Sequence, residues 1–142
     1  MDKSSASRSM FEDVKTFHDV VLGVPPTPPY SFHSEAWMLE RYRFLMEEVT
    51  EFYDCAHAGD MVGAVDGLLD TVYVALGTLH LMGMTNDQVQ ACWDAIQKAN
   101  MGKVRGTTKR GNLVDAAKPA NWVGPETTIA AVLGGGLDAT KP

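Results

Sequence analysis

Hydrophobic residues recur every three or four positions through most of the first hundred residues. This spacing is typical of amphipathic helices, and proline or glycine marks the places where it breaks. Good N-cap residues, Ser34, Asp60 and Thr85, stand at the start of three helical stretches. We therefore predict four helices, over residues 10–22, 34–58, 60–83 and 85–100.

The helical pattern ends near residue 102, where glycine, proline and threonine become frequent. No strand pattern competes with the helices before this point, and the segment after it is predicted to be an irregular arm. We expect residues 1–133 to form one helical domain that includes this arm. Residues 134–142 begin with three glycines and are predicted to be a disordered tail.

The 142 residues carry a formal net charge of −6, which argues against a general nucleic-acid binder. Residues 1–102 contain 15 acidic and 6 basic residues, whereas residues 103–142 contain 3 acidic and 6 basic residues. The basic arm either meets an anionic substrate or neutralises the acidic body.

No apolar run approaches the roughly 18 residues needed to cross a bilayer, and the N-terminal residues lack the apolar segment of a signal peptide. The two cysteines, Cys55 and Cys92, are far apart and are expected to be buried, reduced thiols. These features predict a cytoplasmic protein without a membrane partner.

Carboxylates occupy positions in the second helix where apolar residues are expected. Glu48 lies on the helix face formed by Trp37, Phe44, Leu45 and Phe52, because it follows Leu45 by three residues and precedes Phe52 by four. Glu51 is one turn further along the same side. Glu47 lies at the edge of this face, four residues after Arg43, where a surface ion pair is the simpler explanation.

The third helix repeats this anomaly. Residues 71–85 contain no Asp, Glu, Lys or Arg, which indicates a buried helix, yet Asp66 and Asp70 stand at its entrance, four residues apart. An unpaired buried carboxylate costs several kcal/mol, so these acids need a compensating cation. Mg²⁺, with Mn²⁺ as a substitute, prefers such oxygen ligands, while an ion pair with Arg41 is the structural alternative. Zinc is not expected, because neither cysteine has a histidine at a suitable spacing.

Three segments occur in an order and spacing that resemble the all-α NTP pyrophosphohydrolase superfamily, which includes MazG proteins, dimeric dUTPases, dCTP pyrophosphatases and phosphoribosyl-ATP pyrophosphohydrolases. They are residues 41–51 (RYRFLMEEVTE), 66–77 (DGLLDTVYVALG) and 100–103 (NMGK). More narrowly, the chain resembles short MazG-like proteins of phages and bacteria. The further matches are Phe17-His18 and the segment from Lys118 through Trp122 to Pro125.

The resemblance implies an all-α bundle of four to five helices with a C-terminal arm, forming a homodimer or a dimer of dimers, in the host cytoplasm if a phage encodes it. It implies hydrolysis of a nucleoside triphosphate to the monophosphate and pyrophosphate. Glu48, Glu51 and Asp70 would hold Mg²⁺ and carry catalysis, with Glu47 and Asp66 close by. The residues expected to bind substrate are Arg41, Tyr73, Asn100, Lys103, Lys118 and Trp122.

One position departs from the superfamily pattern. Many members carry an ExxD motif on the third helix, and Gly67 stands here at the glutamate position, with Asp66 as a substitute ligand. Two other functions remain open: a dUTPase or dCTPase specialist, and a catalytically silent dimer. In the silent dimer, the interface residues would be Tyr73, Leu76, Leu79 and Leu81.

Overall fold

A computed structural model describes residues 8–26, 30–111 and 114–134. Most of these residues are helical, as predicted, and a two-stranded sheet follows the fourth helix. The disordered tail predicted at 134–142 lies outside the described residues except for Gly134. In chain order the elements are α1 (Met10–Phe17), a π-helical turn (His18–Leu22), α2 (Glu35–His57), α3 (Met61–Leu81), α4 (Asn86–Met101), β1 (Val104–Gly106), β2 (Asp115–Ala117) and α5 (Glu126–Val132).

The predicted N-caps of α2 and α3 are confirmed. The side chain of Ser34 accepts a hydrogen bond from the backbone N–H of Trp37, and Asp60 accepts one from Gly63. Gly59 adopts a left-handed φ of 76° between the two helices, so the connection is short and the helices are neighbours. The sequence therefore specifies both helix starts and the tight turn that pairs α2 with α3.

The chain divides into two compact units, Met1–Asn86 and Asp87–Pro142. In the first, α1 packs against α3 through a small core in which Phe11, Val14 and His18 are buried, as the helical spacing predicts. The same spacing places Val21 and Leu22 on the buried face, but both are exposed. The π-helical turn explains this error, because its wider hydrogen-bond pattern rotates these residues out of the α-helical register.

Two histidines are buried between α1 and α3, with ring centroids 5.3 Å apart. The backbone oxygen of Val14 lies 2.8 Å from Nδ1 of His18 and accepts a hydrogen bond from it. His80 Nε2 has no hydrogen-bond partner among the described residues, and burial, followed by the neighbouring His18, lowers the pKa of His80. Both rings are therefore packed as core groups.

Helix α3 is long and apolar enough, by length and composition, to cross a membrane, so the expectation that no apolar run approaches that length is wrong. Core helices of soluble proteins meet the same criterion, and this result alone is weak evidence for a membrane. Few α3 residues are buried within this subunit: Ala64, Gly67, Gly77, His80 and Leu81. Much of its apolar surface is therefore open.

The second unit contains the rest of α4 and the arm, which is more regular than predicted. Strands β1 and β2 pair antiparallel, with Val104 opposite Ala117 and Gly106 opposite Asp115. The carboxylate of Asp115 accepts hydrogen bonds from Thr108 and Arg110, and these, with the backbone N–H of Ala116, lower its pKa to about 2. Three-residue strands are too short to leave a periodic signal in the sequence.

Candidate active site

The first unit brings together several of the predicted carboxylates. Glu48 lies between α2 and α3, and its Oε2 atom is buried without a hydrogen-bond partner among the described residues. Burial raises the pKa of Glu48, and the nearby charges of Asp70, Glu51 and Glu47, in that order, raise it further. Three of the other four predicted metal ligands therefore lie close enough to act on Glu48, and the fourth, Asp66, lies one turn before Asp70 on α3.

Protein cations do not compensate this cluster in the described part of the chain. The salt bridges found there are Arg8–Asp13, Lys15–Asp19 and Arg110–Asp115. None of them involves a carboxylate of α2 or α3. The ion-pair alternative therefore lacks a partner for Glu48, whose buried oxygen remains in need of a positive charge.

Arg41, the cation expected either to pair with an acid or to bind phosphate, is turned toward α3. Its Nε donates to Thr78 Oγ1 at 3.0 Å and its Nη2 donates to the backbone oxygen of Val74 at 3.1 Å. Burial lowers the pKa of Arg41, with Glu40 acting weakly in the other direction. In this arrangement the guanidinium connects α2 to α3 and fixes their spacing beside the carboxylates.

The donor set fits a hard divalent cation held in part by substrate. No group of three or more Asp, Glu, His or Cys side chains among the described residues is arranged so that it could hold a metal ion. Mg²⁺ seldom uses an all-protein cage; it keeps waters and is bound by one or two carboxylates together with substrate phosphates. Glu48, with its buried unpaired oxygen and three acidic neighbours, matches that requirement.

Gly67, the departure from the ExxD motif, lies where the backbone of α2 comes close to α3. A Cβ atom added there would lie 2.8 Å from the backbone nitrogen of Phe52 and 3.2 Å from the backbone oxygen of Glu48. A glutamate at this position would collide with the backbone of α2. The absence of the usual glutamate is therefore accompanied by tighter helix packing next to Glu48.

The C-terminal candidates belong to the second unit, where several contact one another. Lys103 Nζ donates to Asn100 Oδ1 at 2.9 Å. The indole N–H of Trp122 donates to the backbone oxygen of Ala99 at 2.6 Å, and Lys118 Nζ lies 4.5 Å from the centroid of the Trp122 ring. Trp122 thus anchors the arm to the end of α4. Its ring lines an open groove of about 800 Å³ together with Lys98 and Asp94.

Among the aromatic candidates, Tyr73 packs its ring edge to face with Phe17, at a centroid distance of 5.7 Å. Tyr73 is 38% exposed, and Trp93 is 62% exposed on α4. Leu81, expected at the interface of a silent dimer, is buried within the subunit. The carbonyl oxygen of Leu81 accepts a hydrogen bond from Nε2 of His33 at 3.0 Å. This carbonyl group at the end of α3 therefore has a hydrogen-bond partner within the chain.

The sequence model of the phosphoribosyl-ATP pyrophosphohydrolase family matches residues 14–100. This chain belongs to that family. The match spans α2, α3 and nearly all of α4, and it confirms the all-α class and the broad superfamily assignment. No curated protein matches the chain at a significant level.

Membership in the phosphoribosyl-ATP pyrophosphohydrolase family supports a soluble pyrophosphohydrolase that cleaves an anhydride bond of a nucleotide. Such a reaction develops negative charge on phosphate oxygens, and a bound cation stabilises that charge. The carboxylates around Glu48 are therefore candidates to bind the cation. The sequence pattern identified these carboxylates in advance. It did not identify the contacts of Arg41 with α3.

Proposed function

We propose that the protein hydrolyses nucleoside or deoxynucleoside triphosphates to the monophosphate and pyrophosphate in a Mg²⁺-dependent reaction, as the resemblance to short MazG-like proteins implies. The observation that carries this proposal is the buried, unpaired Oε2 atom of Glu48, surrounded by the charges of Asp70, Glu51 and Glu47. A divalent cation together with a triphosphate would satisfy this oxygen and offset the charges around it.

In this mechanism Glu48, Glu51 and Asp70 would hold Mg²⁺, or Mn²⁺ as its substitute, with Glu47 and Asp66 close by. When bound, the ion supplies charge neutralisation at the phosphates and lowers the pKa of an attacking water. Glu48 or Glu51 accepts the proton of that water. The residues assigned to the substrate are Arg41, Tyr73, Asn100, Lys103, Lys118 and Trp122.

Phosphoribosyl-ATP itself is the second candidate substrate, and the family match favours it. The chemistry is the same, because water would again cleave a triphosphate to release pyrophosphate. The two candidates differ in the group that the protein must accommodate beyond the phosphates.

The purified protein should convert nucleotides to monophosphates and pyrophosphate with Mg²⁺ and lose this activity in EDTA. Chromatography of products from a panel of NTPs, dNTPs and phosphoribosyl-ATP would measure both the reaction and the preference. Nucleoside diphosphate and phosphate as products would show that the bond between the β- and γ-phosphates is cleaved, which contradicts the proposed release of pyrophosphate. Turnover of phosphoribosyl-ATP alone would favour the second candidate, and no turnover of any nucleotide would contradict both.

The active form that we propose is a cytoplasmic homodimer or homotetramer. Helix α3 leaves an apolar stripe exposed, and α2 leaves a second one. The stripe on α3 is Met61, Val65 and Leu68, and the stripe on α2 is Leu39, Tyr42, Met46, Val49 and Tyr53. Both follow the three- and four-residue spacing of a helix face, and a second copy provides matching stripes that would cover them.

Light scattering coupled to gel filtration should therefore give a mass two or four times the 15.4 kDa of one chain. Replacing Leu68 in the α3 stripe by glutamate should shift the protein toward the single-chain mass, because a charge would be buried in the interface. Glutamate in place of the exposed Thr127 on α5 is the control. A native protein with the mass of one chain would contradict the proposed assembly.

A further inference from the structure

An open pocket of about 210 Å³ lies between α1 and α3 in the first unit, and Met10, Leu69 and Val72 on its lining are exposed. Two of its lining residues are polar, Asp13 and Tyr73. The remaining lining residues are apolar, and they are Met10, Val14, Leu69, Val72 and Leu76. The pocket is thus an apolar slot with a carboxylate on its α1 side and a phenol on its α3 side.

The size of the pocket limits what can occupy it. Pockets for complete drug-sized ligands measure about 300–1,000 Å³, so this slot suits one flat ring system rather than a whole nucleotide. The position of the pocket on α3 indicates where the rest of the ligand would lie. Asp70 follows the lining residue Leu69 directly in α3, and Asp66 precedes Leu69 by one turn. The α3 wall of the slot and these two acids therefore lie in adjacent turns of the same helix.

Asp13 is available to a ligand. Its described ion-pair partner is Arg8, whose side chain is 79% exposed, and such surface pairs are weak because water screens them. An ionised carboxylate is an acceptor with two oxygens and requires N–H donors opposite it. Thymine and uracil present two carbonyl oxygens beside a single N–H, so a carboxylate repels most of their pairing edge. Guanine presents two adjacent N–H donors, at N1 and N2.

We propose that the slot between α1 and α3 is a nucleobase subsite in which Asp13 selects a base edge rich in N–H donors, with guanine the best match. This inference rests on the proposed function for the placement of the triphosphate at the α2–α3 carboxylates. Adenine and cytosine, each with one amino group next to a ring acceptor, rank between guanine and thymine. The apolar walls hold the ring, and the carboxylate determines which ring is preferred.

The test compares kcat/KM for dGTP and dTTP in the wild type and in Asp13→Asn. The wild type should prefer dGTP by about tenfold, the usual value of one charged hydrogen bond in discrimination. An amide carries one donor and one acceptor, which match the N–H and carbonyl of thymine. In Asp13→Asn, kcat/KM should therefore fall for dGTP and stay constant or rise for dTTP, so that most of the preference for dGTP is lost. Asp19→Asn is the control, since Asp19 is an exposed, ion-paired acid that does not line the slot.

Calorimetric titration with dGMP and dTMP, without metal, tests the subsite independently of catalysis. The expected result is tighter binding of dGMP, weakened about tenfold in Asp13→Asn and unchanged in Asp19→Asn. Turnover that is equal for all bases, or that falls equally for all bases in Asp13→Asn, would overturn the subsite and leave the proposed reaction intact. Base-selective binding without any turnover would support the subsite and overturn the reaction. Neither selective turnover nor selective binding would overturn the subsite.

Discussion

Replacing Glu48 by glutamine is expected to reduce Mg²⁺-dependent turnover by 100-fold or more. Glutamine has nearly the same shape but a neutral amide, so it can neither balance the ion nor accept a proton from water. The buried Oε2 atom, which has no partner among the described residues, is the group that this change neutralises.

The same substitution should make the metal-free protein more stable at neutral pH. Burial and the acids Asp70, Glu51 and Glu47 raise the pKa of Glu48, so the folded state holds its proton to higher pH than the unfolded state. Stability therefore falls as pH rises from the ordinary glutamate value through the raised one, and it stays low above that. Glutamine removes this penalty, so we expect a higher Tm for the metal-free variant.

Thermal unfolding with and without Mg²⁺, together with the nucleotide assay, measures both effects. The Tm of the wild type should rise when Mg²⁺ and a nucleotide are added. The Glu48→Gln variant should have a higher Tm than the wild type without Mg²⁺, and this Tm should rise little when Mg²⁺ and a nucleotide are added. Asp54→Asn, an exposed acid on the same helix, is the matched control and should behave as the wild type does. If Glu48→Gln retained turnover, or lost stability without metal, the assigned role of Glu48 would be wrong.

Replacing Gly67 by alanine should lower the free energy of unfolding by about 1–3 kcal/mol. Alanine is favoured over glycine inside a helix by about 1 kcal/mol, so helix propensity alone predicts the opposite sign. The added Cβ would lie 2.8 Å from the backbone nitrogen of Phe52, and backbone atoms cannot rotate away as a side chain can. The helices must separate, and this also moves α3 away from Glu48, so affinity for Mg²⁺ should decrease.

Urea unfolding measures the stability change, and Gly63→Ala is the control in the same helix. The Cβ added at Gly63 would meet Cys55 Sγ and Asp60 Oδ2, which are the ends of side chains and can adjust. Gly63→Ala should therefore lose less stability than Gly67→Ala. A Gly67→Ala variant as stable as the wild type would show that α2 and α3 are not in such close contact.

The features that sequence predicts well are those determined by neighbours within one or two turns. Ser34 and Asp60 cap their helices as expected, and Glu48 lies on the packed face of α2 because its spacing to Leu45 and Phe52 requires it. The carboxylate cluster follows from this, since Asp70 occupies the corresponding side of α3. Local spacing was sufficient for both the helices and the acids.

The features that sequence does not predict depend on geometry between elements. Arg41 stands one heptad before Glu48, but the contact that determines its position is with Thr78 and Val74 of α3. The π-helical turn breaks the register of α1 without a proline or glycine inside it, so Val21 and Leu22 are exposed. The slot beside Asp13 is lined by residues of two helices, and no spacing rule within one helix can indicate such a pocket.

The apolar stripes on α2 and α3 have a consequence for how the cell controls this protein. Under the proposed pairing, folding and association form one equilibrium, so the native fraction rises with the total amount of chain by mass action. A newly made subunit at low abundance would present its stripes to chaperones and proteases rather than to a partner. Gene dosage would then determine the lifetime of each chain as well as the number of chains.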